Sequence, residues 1–248
     1  MTNKYKYYIA NWKMFGSLSS IIILKKVNFY LNKFKKKNLK VVICPPFTLI
    51  NPFFKTLKKS RLIIGAQNCH YSNEYGPYTG SINSKMLKNA GARYVIIGHS
   101  ENRSEGENDL IINKKILASI NNNLNIIFCF GETLQQKNKN LTKKILTKQI
   151  LLALKNVKNP NKIIFAYEPV WSIGTGKTPK MPNLEKTILF IRAKLKKRFK
   201  KSSNLKILYG GSVNSKNIQG LNAISNLNGY LIGGASQSAK KFIDILKN

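Results

Sequence analysis

Short apolar runs recur at regular intervals along this 248-residue chain, separated by longer lysine-rich stretches. Most of these runs do not alternate between apolar and polar residues, which is typical of parallel strands that are buried on both faces. The pattern predicts eight strands, at residues 6–12, 40–44, 61–66, 93–97, 125–129, 162–167, 206–209 and 229–232.

The stretches between these strands are compatible with helices, for example residues 142–156 and 184–199, whose lysines would lie on exposed positions. Ser104, which precedes two glutamates, and the pair Pro182-Asn183 are typical of helix starts. A chain that alternates strands and helices forms a parallel sheet with right-handed crossovers. Eight such units in about 250 residues favour an α/β fold with a closed (β/α)8 barrel over an open doubly wound sheet.

No linker or low-complexity segment interrupts the pattern, so we expect residues 1–248 to form a single domain. The length alone would also suit two small domains. The continuous series of strand and helix units favours the single barrel.

The segment 166–179 places a lone carboxylate, Glu168, directly after an apolar strand and before a loop with two glycines. A carboxylate beside a loop that can close is what a water-excluded general base requires. A buried or ion-paired glutamate followed by an ordinary turn would explain this segment equally well by itself. Whether Glu168 is a catalytic or a structural residue therefore depends on what the other strand ends carry.

Three further strand ends carry residues of chemical interest. Asn11 and Lys13 lie at the end of the first strand and, two residues apart, point to the same side. His99 and Glu101 follow the fourth strand, and Gly-Gly turns follow the seventh and eighth. The carboxyl ends of all strands in such a barrel face one mouth, so we expect these groups to share one pocket.

The chain resembles the triosephosphate isomerase family in seven segments that occur in the family's order. The resemblance implies a TIM barrel that interconverts dihydroxyacetone phosphate and D-glyceraldehyde 3-phosphate through an enediolate, in glycolysis and gluconeogenesis. It also implies that neither a cofactor nor a metal is required. The segments are residues 10–14, 65–68, 98–101, 129–132, 166–179, 209–214 and 233–236.

The resemblance also implies catalytic roles. Glu168 would be the general base and His99 the group that polarises the carbonyl and moves protons between the substrate oxygens. Lys13 would supply positive charge, and Asn11 would position the oxygens by hydrogen bonding. Glu101 is expected to support the site, either in proton transfer or, with at least equal weight, as a cap or ion-pair residue.

The phosphate group of the substrate is expected to bind at backbone N–H groups near Gly174, Ser212, Gly233 and Gly234, with Asn11 and Lys13 completing the substrate site. A helix expected to begin at residues 235–236 would add the positive end of its dipole. Cys129 is expected to be a supporting residue of the site.

The resemblance further implies a homodimer, in which Thr79 at the tip of the third loop reaches into the partner. Ser81 and Asn102 stand where the family usually has a glutamate and an arginine, so an ion pair near the dimer contact is absent. Asn228 replaces an aspartate that would pair with Arg192. We expect a dimer with a weaker interface than the family usually has.

The charge of the chain raises an alternative. The sequence has 43 Lys and Arg residues against 9 Asp and Glu, a formal net charge of +34 and a pI near 10.2. Such a balance would suit a catalytically retired barrel that binds polyanions. Because the lysines are scattered and only five arginines occur, we expect no specific nucleic-acid partner. A different aldose–ketose isomerase on the same fold is the other alternative.

The three cysteines, Cys44, Cys69 and Cys129, have no zinc-like spacing and cannot all pair within the chain. They are typical of reduced thiols in a cytosolic protein. Neither a leader segment nor an apolar run of about 18 residues is present, so we expect a cytoplasmic protein without a membrane partner.

Overall fold

A computed structural model describes residues 5–34, 38–57, 59–200 and 204–248 of the chain. Eight parallel strands form a closed barrel in chain order, which confirms the predicted α/β (β/α)8 fold. Every predicted strand is present, and each end lies within one residue of its predicted position. The strands are β1 (Lys6–Asn11), β2 (Leu39–Cys44), β3 (Leu62–Ala66), β4 (Tyr94–Ile97), β5 (Asn125–Phe130), β6 (Ile163–Tyr167), β7 (Lys206–Tyr209) and β8 (Gly229–Ile232).

Helices connect the strands on the outside of the barrel. The α-helices are α1 (Ile21–Lys33), α2 (Phe47–Thr56), α3 (Ser84–Asn89), α4 (Ser100–Ser104), α5 (Asp109–Asn121), α6 (Leu134–Asn138), α7 (Thr142–Ala153), α8 (Met181–Arg198), α9 (Ile218–Asn222) and α10 (Ala239–Lys247). Short 3-10 helices occupy Leu18–Ser20, Val170–Ser172 and Gly234–Gln237.

The helix limits differ from the predicted ones in three places. Helix α7 ends three residues early, and α8 begins at Met181, three residues before the predicted start, with a proline in its first turn. The prediction of a helix start at Ser104 is wrong, because Ser104 is the last residue of α4. The next helix begins at Asp109, where Asn108 accepts hydrogen bonds from two backbone N–H groups.

The core has two layers that follow from the alternation of side chains along each strand. Residues such as Ile9, Ile96 and Ile127 point into the barrel and fill its interior. Their neighbours on the same strands, for example Tyr8 and Ile126, point outward and pack against the helices. Both faces of the strands are therefore buried, which explains the continuous apolar runs.

The closed barrel brings the carboxyl ends of the strands to one rim, and the loops after β1, β4, β6, β7 and β8 surround a cavity there. Within the described ranges, no helix is both long and apolar enough to cross a membrane.

Candidate active site

The cavity at the carboxyl end of the barrel has a volume of about 700 Å³. It is lined by side chains and backbone that follow strands far apart in the sequence. All eight residues predicted to be catalytic or to bind the substrate line it, namely Asn11, Lys13, His99, Glu168, Gly174, Ser212, Gly233 and Gly234.

Glu168 follows the last residue of β6 and is almost completely buried, at 3% exposure. Its Oε2 atom has no hydrogen-bond partner among the described residues. Burial raises the pKa of the Glu168 carboxyl above its ordinary value, and the nearby His99, Cys129 and Lys13 only partly offset this. The site thus holds a carboxylate that is poorly solvated and has a free oxygen, as a strong general base requires.

Two glycines make room for this residue. A methyl group on Gly210 would lie 2.6 Å from Cγ of Glu168, and one on Gly131 would lie 1.8 Å from the Glu168 carbonyl oxygen. Any larger residue at either position would displace the carboxylate or its backbone. The glycine at position 210 therefore has a packing role beside Glu168, in addition to any contact with an anion.

His99 lies at the N-terminus of α4 and is buried. Its Nδ1 accepts a hydrogen bond from the backbone N–H of Glu101 at 3.3 Å. Because a backbone N–H can only donate, Nδ1 holds its lone pair and the ring proton is on Nε2. Nε2 lies 3.5 Å from Oε1 of Glu168, so a hydrogen-bond donor and a base face the same point in the cavity.

The loop after β1 places an ammonium group in the cavity. Lys13 has a left-handed backbone with a φ of 55°, which is uncommon for a residue other than glycine. The side chain of Asn11 accepts the backbone N–H of Lys13 at 3.1 Å, and Gln67 donates to the Lys13 carbonyl at 2.8 Å. These two bonds stabilise the unusual backbone and direct the lysine side chain.

Glu101 is an ion-pair residue in this structure. Its Oε1 lies 2.6 Å from Nζ of Lys13, and its side chain is 55% exposed. The contact joins the loop after β1 to helix α4. The sequence left open whether Glu101 takes part in proton transfer or is a cap or ion-pair residue, and in this structure it forms an ion pair.

Cys129 lies near the end of β5 and is fully buried next to Glu168. Burial and the neighbouring Glu168 raise the pKa of the Cys129 thiol well above its ordinary value. A neutral thiol that packs against the carboxylate fits the predicted supporting role. Cys44 and Cys69 are likewise free and buried.

The opposite wall of the cavity is formed by the turns after β7 and β8, which contain Ser212, Gly233 and Gly234. A helix does begin here, one residue before the predicted start, but it is a short 3-10 helix at residues 234–237, and α10 begins only at Ala239. The Ser236 hydroxyl donates to the Gly233 carbonyl at 2.6 Å and holds this turn.

Residues 170–177, which we call the lid segment, form one edge of the cavity. Gly174 and Gly176 have φ values of 68° and 73°, which favour glycine, and no atom of the described residues would contact a methyl group on either. The segment is attached at Ser172, whose hydroxyl donates to the Lys177 carbonyl at 2.6 Å and lies 2.9 Å from the hydroxyl of Tyr209. The lid segment thus combines a fixed start with an exposed glycine tip.

Glu132 lies within the segment 129–132, and its role was not predicted from the sequence. It is buried, and its carboxylate accepts hydrogen bonds from Trp171 Nε1 at 3.0 Å and from the hydroxyl of Tyr167 at 3.2 Å. Burial raises the pKa of Glu132 above its ordinary value, against the effect of these donors. In the sequence, Glu132 follows an apolar strand and a glycine, and this position could have indicated a buried residue that binds the lid segment.

Three residues related to the expected dimer lie outside the cavity. Thr79 is exposed at the tip of the loop between β3 and α3. Asn228 still contacts Arg192, since its Oδ1 lies 3.2 Å from Nη2 of the arginine. A hydrogen bond from the charged guanidinium to a neutral amide oxygen thus stands where the sequence indicated a lost ion pair. Arg192 Nε is buried without a partner among the described residues.

The metal-binding residue types do not cluster in the part of the chain that the structure describes. No group of three or more His, Cys, Asp or Glu side chains is placed there to hold an ion. The polar groups of the cavity are instead those of a base, a hydrogen-bond donor and an ammonium.

Comparison with known proteins gives one consistent result. A family model described as triosephosphate isomerase matches residues 6–248. The triosephosphate isomerase of Thermodesulfovibrio yellowstonii is 41% identical over 244 residues, which cover 98% of each chain. That of Bartonella tribocorum is 40% identical over 238 residues, or 95% of this chain and 93% of the relative. The crystal structure of triosephosphate isomerase from Bartonella henselae superimposes with a TM-score of 0.90, at 36% identity and 98% coverage of both chains.

Proposed function

The chain belongs to the triosephosphate isomerase family of aldose–ketose isomerases, and we propose that its cavity interconverts dihydroxyacetone phosphate and D-glyceraldehyde 3-phosphate through an enediolate. The observation that carries this proposal is the pair formed by Glu168 and His99 in a buried pocket, 3.5 Å apart.

Glu168 is the general base. The reaction removes a proton from a carbon next to a carbonyl group, and a carboxylate does this best when water does not stabilise its charge. The burial of Glu168 and its unpartnered Oε2 support this role. The same carboxyl group, once protonated, returns the proton to the neighbouring carbon and completes the isomerisation.

His99 is the group that polarises the carbonyl. Its Nδ1 is occupied by the Glu101 N–H, so its Nε2–H is the donor available to the substrate oxygens. Donation from Nε2 stabilises the negative charge that develops on oxygen as Glu168 removes the proton. A neutral imidazole can also give up this proton and take one back, which moves a proton between the two oxygens.

Lys13 and Asn11 complete the stabilisation of the enediolate. The Lys13 ammonium stabilises the developing negative charge, and the Asn11 side chain fixes the loop that carries it. In this structure the ammonium pairs with Glu101, whose carboxylate is exposed. Binding of an anionic substrate would replace that contact with one to the substrate.

The phosphate group binds at the opposite wall, at the backbone N–H groups near Ser212, Gly233 and Gly234. These turns line the same cavity as the catalytic groups and include no carboxylate among their lining residues. Gly174 on the lid segment adds a further N–H when the segment closes. Closure would exclude water and limit loss of phosphate from the enediolate.

Residues 1–248 would act as one catalytic domain, in a cytoplasmic enzyme of glycolysis and gluconeogenesis. A homodimer is supported by two exposed apolar side chains, Met14 at 100% and Tyr75 at 63% exposure, the latter on the loop that carries Thr79. Sedimentation of wild type and Thr79→Arg would test it, since an arginine at the contact should shift the protein toward monomer.

A coupled assay of both directions of the reaction tests the function. Wild-type protein should turn over the triose phosphates, and Glu168→Asp should be slower by about 100-fold, because the shorter side chain moves the base by about 1 Å. Glu185→Asp is the matched control, since Glu185 lies on α8 and bonds to Ser225 away from the cavity. A folded but inactive wild type would overturn the proposal.

A further inference from the structure

The opposite end of the barrel contains a second group of cations. In a parallel ladder, directly paired residues point to the same side of the sheet. Lys40 pairs with Tyr7 and Lys206 pairs with Ile164, and both partners fill the interior of the barrel. These two lysines therefore point inward at the amino-terminal opening of the barrel.

Lys162 belongs to the same layer. It lies two residues before Ile164, and its carbonyl accepts the N–H of Ile126 in the ladder with β5. The same alternation therefore turns its side chain inward. Three lysines, on β2, on β7 and directly before β6, thus point into the barrel at the end farthest from the catalytic cavity.

The described structure gives these ammonium groups only neutral partners. Lys206 donates to the Asn161 carbonyl at 3.2 Å, and Lys162 donates to Asn123. Lys40 lies over the ring of Tyr5 at 4.5 Å. None of the salt bridges found among the described residues includes any of the three lysines.

All three lysines are half-buried, and Lys40 lies close enough to Lys206 for their charges to interact. Burial lowers the pKa of Lys206, and the charge of Lys40 lowers it further. The turns at this end of the barrel are those that lead directly into the strands. None of the nine acidic residues lies in such a turn, so no carboxylate there balances the lysine charges. Cations held together without a counter-charge repel each other, and a multivalent anion would relieve that repulsion.

We propose that the amino-terminal opening of the barrel binds a small polyphosphate anion, with Lys40, Lys162 and Lys206 as its ligands. Ammonium groups bind phosphate oxygens as point charges, and three of them suit a chain of two or three phosphates better than a single one. The anion could be free polyphosphate or the phosphate chain of a nucleotide. Tyr5, 39% exposed beside Lys40, offers a ring on which a base could stack.

Calorimetric titration with inorganic tripolyphosphate, ATP and orthophosphate tests the site. Excess glycerol phosphate should be present, to occupy any phosphate site in the catalytic cavity. We expect one tripolyphosphate per chain, and about 100-fold weaker binding to Lys40→Gln/Lys206→Gln, because each of the two ionic hydrogen bonds removed contributes about tenfold or more. Lys144→Gln/Lys148→Gln removes the same charge from the exposed face of α7 and should bind as wild type does.

Comparison of ATP with tripolyphosphate distinguishes a nucleotide from free polyphosphate as the ligand. Activity and thermal unfolding of the double variant show whether it is folded. Equal binding of ATP and tripolyphosphate, or tighter binding of ATP, supports a nucleotide source, and binding of tripolyphosphate alone supports the free anion. The double variant should retain isomerase activity and unfold at the same or a higher temperature, since it removes a repulsion. Tripolyphosphate should raise the unfolding temperature of wild type but not of this variant. Equal loss of binding in both double variants, or no binding to wild type, would overturn the proposal.

Discussion

The indole N–H of Trp171 donates to Oε1 of Glu132 at 3.0 Å, which attaches the first residues of the lid segment to the end of β5. The backbone N–H of Val170 donates to the carbonyl of the same glutamate at 3.0 Å. One buried residue therefore fixes the start of the segment through both its side chain and its backbone, while Thr175 at the glycine tip bonds to Trp171 and Lys177 of the segment itself.

This attachment predicts an energetic coupling between Trp171 and Glu132. In a double-mutant cycle of Trp171→Phe and Glu132→Met, followed by urea unfolding, we expect a coupling of about 1 to 3 kcal/mol, as for a hydrogen bond to a charged group. The matched cycle pairs Trp171→Phe with Lys137→Met, whose ammonium lies 3.5 Å from the indole ring centre. Its coupling should be smaller, because phenylalanine retains a ring for the cation. Additive effects in the first cycle would contradict this prediction.

The packing of Gly210 against Glu168 predicts a catalytic defect without a folding defect. Gly210→Ala places a methyl group 2.6 Å from Glu168 Cγ and should displace the base, lowering kcat by about 100-fold for a shift of about 1 Å. Gly220→Ala is the control, since its methyl group would lie 3.7 Å from Met181 within α9. It should leave kcat unchanged and stabilise the helix by about 0.5–1 kcal/mol. Equal turnover of the two variants would exclude the packing role.

The burial of Glu168 predicts the pH dependence of catalysis. Only the ionised carboxylate can remove a proton, and burial raises its pKa above the ordinary value of 4.5. The acidic limb of kcat/KM should therefore lie above pH 4.5, since this ratio reports groups of the free enzyme. A profile recorded with saturating coupling enzyme at each pH checks this. A limb at or below pH 4.5 would show that the carboxylate is well solvated.

The same shift predicts a pH-dependent stability. The folded pKa of Glu168 is raised, so its favourable contribution to folding is fully present below pH 4.5 and is lost as the pH rises through the folded value. Glu168→Gln stays neutral throughout. The variant should therefore exceed wild type in free energy of unfolding at neutral pH, and the difference should shrink toward pH 4.5. Glu105→Gln, at an exposed position, should show no such trend.

The sequence was sufficient to predict the strands because burial on both faces leaves a continuous apolar run, as in Ile163–Tyr167. It also placed Asn11, Lys13, His99 and Glu168 in one pocket, because a closed barrel brings all carboxyl strand ends together. Both of these predictions depend on backbone topology, which the pattern of apolar residues records directly.

The features that were not predicted depend on contacts between residues far apart in the sequence, or on competition between neighbouring helix caps. Glu132 acts on Tyr167 and Trp171, which follow it by 35 and 39 residues and meet it only in the folded barrel. The helix start at Ser104 was wrong because Asn108, four residues later, caps two N–H groups and competes successfully as the first turn of α5. The role of Thr79 stays a prediction, since it concerns a partner chain.

The left-handed backbone at Lys13 has a consequence for how this protein can change. A residue with a side chain in that conformation costs about 1–2 kcal/mol, which glycine would not incur. Glycine at position 13 would therefore relieve the strain but remove the only lysine ammonium that pairs with Glu101 in the described structure. Thermal stability and the role proposed for Lys13 thus act in opposite directions at this residue, so a screen for stability alone would favour variants that have lost this ammonium group from the cavity.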